Sequence, residues 1–190
     1  MKITFNDIKT KSNLLSLIRL FMAIPFWFLL DNFQLSQTRY ITISLCFLAA
    51  VTDILDGYLA RRYNEITEFG KIIDPIADKF VIGSIIIKLF LIGKVDTIYF
   101  LLIIGRDLLI FIGGIIVAKK IGKVLPSNIL GKITVINISI VILLILFNMD
   151  VNSSIFIFIY YLSITLITIS IIVYTYRAFE FIKKKDYGTI

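Results

Sequence analysis

Apolar residues in this chain come in long blocks separated by short polar connections. Six blocks run from Leu14 to Leu30, Tyr40 to Ala60, Ile72 to Ile92, Thr97 to Ala118, Ile133 to Phe147 and Ile155 to Tyr176. A helix needs about 20 residues to cross a hydrocarbon core about 30 Å thick, and most of the blocks approach that length. None alternates with a period of two, and a bilayer admits only helices or closed barrels. The pattern therefore predicts an all-α integral membrane protein, a bundle of six transmembrane helices. With no internal repeat and no linker, residues 1–190 read as one membrane domain. The polar, basic segment 1–12 lies ahead of the first span without the small-residue pattern of a cleavable signal, and a charged tail covers 178–190.

Composition agrees with the blocks. Of 190 residues 58% are hydrophobic, including 16 Phe and 9 Tyr, against about 45–50% apolar in soluble domains. There is no histidine, and the single cysteine, Cys46, sits in an apolar run. Zinc sites built on histidine and cysteine, an imidazole base, a thiol nucleophile and a disulfide framework are thereby excluded. The net charge of +7 is explained by its distribution, not by a nucleic-acid partner. Lys2, Lys9, Lys11, Arg61, Arg62, Lys71, Lys119, Lys120, Lys123, Lys132, Arg177 and Lys183 to Lys185 fall on one side of the six-span layout, and only Arg39 and Lys94 on the other. By the positive-inside rule both termini are cytoplasmic and the protein is a multi-pass inner (plasma) membrane protein.

Against this apolar background stands "DILDGYLARRYNEITEFGKIIDPIAD", residues 53 to 78. Asp53 and Asp56 are three apart and Asp74 and Asp78 four apart, so each pair shares one helix face. A short cytoplasmic connection would set the two helices side by side and let the pairs face each other. Pro75 suits a first helical turn, which would put Asp74 at a helix start. An aspartate at mid-membrane costs about 2.5–3.5 kcal/mol on insertion scales, and four repelling carboxylates need a cation. Basic residues do not occur beside the aspartates in the number needed to neutralise them. Oxygen-only ligands select a hard divalent ion, Mg²⁺ or Mn²⁺, with Ca²⁺ as an option, and four carboxylates suffice for a two-metal site of the kind that serves displacement at phosphorus. Gly57, Ala60 and Gly70 remove side-chain bulk where a ligand must approach a helix.

Written as spacing, the stretch is D53-x2-D56-G57-x2-A60-R61-x8-G70-x3-D74-x3-D78, which resembles the signature of the CDP-alcohol phosphotransferases, integral membrane enzymes of phospholipid synthesis. Six spans with the motif across the second and third extend the resemblance over nearly the whole chain. The resemblance implies Asp53, Asp56, Asp74 and Asp78 as metal ligands, with Asp78 also the general base. It implies Gly57, Ala60, Arg61 and Gly70 around the cytidine diphosphate of the donor. "NLLSLIR", with Ser16 in place of a threonine, resembles the family's Asn-x-x-Thr-x-x-Arg segment. Asn13 is accordingly either a nucleotide contact or a helix cap. The implied reaction is transfer of a phosphatidyl group from CDP-diacylglycerol to an acceptor alcohol with release of CMP, at a site facing the cytoplasm of a homodimer.

The acceptor depends on other residues. Arg106 and Asp107, in "IIGRD", lie within the fourth span, as an anion site or as a structural ion pair; Lys132 opens the fifth. The chain resembles most the branch whose acceptor is glycerol 3-phosphate. It departs from that branch in having "IGGII" where another arginine is usual beyond Arg106, and Thr134 where a second lysine is usual after Lys132. Transfer to phosphatidylglycerol, as in cardiolipin synthases of this fold, and transfer to inositol phosphate are the alternatives. Gly113 and Gly114 are read as sites of close helix packing. A divalent cation transporter is the alternative from another class, but the broken helices of transporters are not evident.

Overall fold

The computed structural model describes residues 10–62, 70–121 and 128–186, all of them in helices or the short turns between helices. Six helices are present among them: α1 Lys11–Asp31, α2 Ser36–Arg62, α3 Gly70–Leu91, α4 Thr97–Ile121, α5 Ile129–Leu146 and α6 Ser154–Asp186. Five segments are long and apolar enough to cross a membrane: Asn13–Asp31, Ser36–Leu59, Thr97–Val117, Ile129–Leu146 and Ser154–Phe181. The missing one lies in α3, whose length is sufficient but whose sequence carries Asp74, Asp78, Lys79 and Lys88. Most of the segment 1–12, the connection holding Glu65 and Glu68, and residues 187–190 lie outside the described residues.

Local chemistry sets the helix ends. Thr10 caps α1 by accepting a hydrogen bond from the Asn13 amide at 3.4 Å, so Asn13 itself is not the cap. Asn128 caps α5 through the Leu130 amide, which starts that helix a turn earlier than its apolar block. At the end of α3, Gly93 takes a positive φ of 70°, and the amides of Gly93 and Lys94 bond back to Phe90 and Leu89. This left-handed residue ends a helix at little steric cost when it is glycine. Asn148 does the same for α5 at φ 54°. Because α3 already begins at Gly70, Asp74 lies a turn inside it and not at its start. Helix α6 continues through residues 178–186, the first part of the expected tail, where no glycine or proline intervenes.

The chain divides into two compact units, Met1–Val95 and Asp96–Ile190. In the first, α1 packs against both α2 and α3. Its buried face reads Asn13, Ser16, Arg19, Met22, Ala23, Phe26 and Leu30, a three-and-four spacing that makes one stripe along a helix. The stripe is polar at one end and apolar at the other. Ala77, Val81, Ile85, Ile86 and Leu89 form the apolar core contribution of α3. Lys88, also buried, pairs with Asp31 and lies 4.9 Å from the centre of the Trp27 ring. In the second unit, α6 packs against α4 and α5, burying Phe156, Ser163, Ile167 and Ser170.

Both units bury polar side chains among apolar ones and expose large apolar side chains. Thr42, Asp56, Arg106, Thr134, Asn137, Ser163 and Ser170 are buried, whereas Phe21, Phe28, Phe80, Leu101, Phe158 and Phe179 are exposed. Such an arrangement is costly in water but suits lipid, where small polar residues join helices and apolar side chains face hydrocarbon.

Helices α5 and α6 approach closely at Gly131. A Cβ there would come 2.7 Å from Tyr174 Oη, 3.1 Å from Tyr174 Cε2 and 3.3 Å from a terminal nitrogen of Arg106. Gly131→Ala should therefore cost about 1–3 kcal/mol by overpacking, seen as a melting temperature several degrees lower in detergent. Adding Tyr174→Phe, which removes the closest atom, should recover part of the loss; no recovery would show that this contact does not set the helix spacing.

Candidate active site

The four aspartates meet on α1. Asp53 and Asp56, three apart on α2, and Asp74 and Asp78, four apart on α3, point toward the face of α1 that carries Ser16 and Arg19. The Ser16 hydroxyl contacts Asp56 Oδ2 at 3.1 Å and Asp74 Oδ1 at 2.5 Å. One terminal nitrogen of Arg19 donates to Asp53 Oδ1 at 2.8 Å and to Asp78 Oδ1 at 2.5 Å. The other donates to Asp56 Oδ2 at 2.5 Å. Two carboxylate oxygens from different helices thus come within hydrogen-bonding distance of a single nitrogen. The sequence-predicted facing of the two pairs is present, but it is mediated by the first helix.

Arg19 adds one buried cation to the cluster, from a helix outside the stretch that carries the aspartates, and its one guanidinium is shared among three of them. Its side chain is 2% exposed, that of Asp56 5%, and those of Asp53 and Asp78 51% and 41%. The cluster is therefore graded, with a buried guanidinium and Asp56 behind, and two half-exposed carboxylates in front. The signal for Arg19 was present in the sequence, since Asn13, Ser16 and Arg19 recur every three residues on one face of α1. Which neighbours that face would meet was not.

Around the cluster, Asn13 is buried on α1, Gly57 follows Asp56 directly, and buried Gly70 opens α3. Gly57 and Gly70 thus lie near aspartates along the chain, and Asn13 lies one turn before Ser16. Ala60 and Arg61 belong to the last turn of α2, and their side chains lie outside the described residues.

Among the described residues, no group of three or more His, Cys, Asp or Glu side chains forms a ready-made metal cage. The carboxylates face the guanidinium. Their chemistry nonetheless fits a hard divalent ion: the donors are oxygens, they come from two helices, and they already converge on a cationic group. Three carboxyl groups share the one guanidinium of Arg19.

The second unit holds the expected acceptor residues. Arg106 is buried among α4, α5 and α6. It pairs with Asp107 at 2.6 Å and donates to the Gly131 carbonyl at 3.3 Å and the Ser170 hydroxyl at 3.4 Å. Gly131 immediately precedes Lys132, whose side chain is exposed. The ion-pair reading of Arg106 thus has a partner, although an adjacent one on the same helix. Among the described residues Gly113 and Gly114 are not sites of close packing: a Cβ at either would meet nothing within 4 Å, and both line a cavity of about 350 Å³ between α4 and α6.

Comparison with known proteins follows the same residues. A family model described as CDP-alcohol phosphatidyltransferase matches residues 9–176, from the approach to α1 through most of α6. A CDP-diacylglycerol–glycerol-3-phosphate 3-phosphatidyltransferase of Rickettsia felis is 44% identical over 102 residues, which are 54% of this chain and 56% of that protein. The protein of the same name in Aquifex aeolicus is 37% identical over 132 residues, 67% of this chain and 70% of its own length. A probable phosphatidylglycerophosphate synthase of Mycobacterium tuberculosis is 36% identical over 124 residues, 64% of this chain and 58% of that protein. The chain spans little more than half the length of the Rickettsia relatives it matches. With the matched region carrying the four aspartates, the helix that gathers them and both residues of the second polar site, the chain belongs to the CDP-alcohol phosphatidyltransferase family.

Proposed function

We propose that this protein transfers a phosphatidyl group from CDP-diacylglycerol to glycerol 3-phosphate and releases CMP. The observation that carries the proposal is the convergence of Asp53, Asp56, Asp74 and Asp78 on Ser16 and Arg19, within a family that generally uses a divalent metal. The relatives from Rickettsia and Aquifex are named for transfer to glycerol 3-phosphate, which favours that acceptor. We further propose six membrane crossings, α3 included, with both termini and the aspartates on the cytoplasmic side, and a homodimer as the working form. The lopsided distribution of basic residues supports the orientation.

In this reading Asp53, Asp56, Asp74 and Asp78 hold Mg²⁺ or Mn²⁺, in a two-metal site. Such ions supply charge neutralisation for a diphosphate and its leaving group. Asn13, Gly57, Ala60, Arg61 and Gly70 receive the cytidine diphosphate, the glycines by letting it lie close to the helix backbone. Asp78, half-exposed beside buried Asp56, accepts the proton of the acceptor hydroxyl as that oxygen attacks the phosphorus bearing diacylglycerol. The bond from that phosphorus to the CMP oxygen breaks, and the electron pair leaves with CMP. Arg106 and Lys132 bind the phosphate of the acceptor, a dianion for which guanidinium and ammonium groups are suited.

Asp78→Asn should lower CMP release by about 10²–10⁴-fold, the usual weight of a positioned base, while CDP-diacylglycerol binding stays within a few-fold of the parent. CMP release near the parent rate would remove Asp78 from the base role.

The acceptor is tested by CMP release from CDP-diacylglycerol with Mg²⁺ or Mn²⁺ and a panel of glycerol 3-phosphate, phosphatidylglycerol, inositol phosphate and serine. Turnover should be greatest with glycerol 3-phosphate. Arg106→Gln should raise the KM for glycerol 3-phosphate by roughly tenfold or more, the loss of a charge-assisted contact, with the KM for CDP-diacylglycerol little changed. Preference for phosphatidylglycerol would move the protein to the cardiolipin-type reaction, and metal flux without CMP release would make it a transporter.

A further inference from the structure

Arg19 is the one charged member of the cluster to which the proposed chemistry gives no role. Its position is unusual for a permanent structural arginine. A guanidinium settled against a carboxylate normally makes two parallel bonds from two nitrogens. Here one nitrogen is divided between Asp53 and Asp78, on separate helices, and the other holds Asp56. The Nε–H is buried and has no hydrogen-bond partner among the described residues. A donor buried without a partner carries its full desolvation penalty. The guanidinium is therefore placed where positive charge is needed by three carboxylates, at the expense of its own hydrogen bonding.

A divalent ion would compete for the same oxygens. Mg²⁺ demands ligands at about 2.0–2.1 Å in near-octahedral order, so an oxygen that binds it cannot keep a guanidinium nitrogen as its close partner in the same direction. Without such an ion, the carboxylates of α2 and α3 would repel one another across α1. We propose that Arg19 is an internal counter-cation: it holds Asp53, Asp56 and Asp78 together before a divalent ion binds, and gives up those oxygens when the ion arrives. This rests on the reading of the aspartates as a divalent-ion site. The exchange keeps α1, α2 and α3 assembled in the absence of metal, and it weakens ion binding, because each ion that enters must break existing ion pairs.

The test uses the full chain in detergent, with Mn²⁺ as the probe, thermal unfolding in chelator and in saturating Mn²⁺, and electron paramagnetic resonance of free Mn²⁺ to measure binding. In chelator, Arg19→Met should melt about 10 °C below the parent, as expected when one partner of a buried ion pair is removed in a chain of this size. In saturating Mn²⁺ the two should melt within about 3 °C of each other on the same scale. The variant should also bind Mn²⁺ at least roughly tenfold more tightly, a change of about 1.4 kcal/mol. Arg19→Lys, which keeps the charge, should recover most of the loss in chelator. Equal destabilisation of Arg19→Met with and without Mn²⁺, or a variant that does not fold even when prepared in Mn²⁺, would overturn the exchange and leave Arg19 a structural residue. A parent chain that neither binds Mn²⁺ nor changes its melting temperature with it would instead remove the divalent-ion reading itself.

Discussion

The ion-pair network of Arg19 is the constraint on which the first unit depends. A guanidinium that is 2% exposed must be compensated, because removing a partner from a buried charge is far more costly than forming the pair is favourable. Compensation comes from α2 and α3 together, at Asp53, Asp56 and Asp78. Helix α1 therefore cannot turn about its axis without sending Arg19 and Ser16 toward lipid and leaving the carboxylates to repel. The apolar remainder of the same stripe, Met22, Ala23, Phe26 and Leu30, then follows from helical spacing. Polar chemistry at one end fixes the rotation, and hydrophobic packing at the other fills the interface.

The second unit uses the same device with a different balance of charge. Arg106 also lies buried among three helices, but its partners are one adjacent carboxylate, a carbonyl and a hydroxyl. Neutral oxygens satisfy donors without cancelling charge. Arg19 thus faces three carboxyl groups, whereas among the described residues Arg106 has one, that of Asp107, with its half-exposed side chain. The first arrangement suits a cation and the second suits an anion.

Much of this was legible in the sequence. Long apolar blocks gave the helices, because span length and lack of alternation leave few other solutions in a bilayer. The aspartate spacing gave two shared faces, because helical period is a local property. The place of Arg19 is not legible there, because the residue that meets the aspartates lies on another helix, far from residues 53 to 78. Its relation to them depends on how α1 is rotated, a tertiary quantity. Gly113 and Gly114 differ from expectation for a related reason. Small residues permit close packing, but only the neighbouring helix decides whether it occurs, and at these positions it leaves a cavity. The expected start of the third helix at Asp74 rested on Pro75, whose preference for a first turn is statistical; the helix begins at Gly70 instead.

Thr134 illustrates how a departure in sequence acquires a physical reason. It stands where the glycerol-3-phosphate branch carries a second lysine by resemblance, and its absence weakened that assignment. In the fold Thr134 is fully buried, and its hydroxyl donates to the carbonyl of Leu130 at 2.8 Å and to that of Leu166 on α6 at 3.4 Å. A lysine of the same backbone placement would have to bring an ammonium into this α5–α6 contact or displace α6, each costly for an uncompensated charge. Position 134 in this chain is therefore committed to joining helices. Gly131, one turn earlier, is committed in the same way by Tyr174 and Arg106. Between them only Lys132 and Ile133 project outward from α5 as exposed residues, so any cationic contribution of this turn to an anionic acceptor must come from Lys132. In the function proposed above, the charge available to an anionic acceptor falls on this one lysine and the buried Arg106, and it is these two, not the aspartates, that would have to distinguish one alcohol from another.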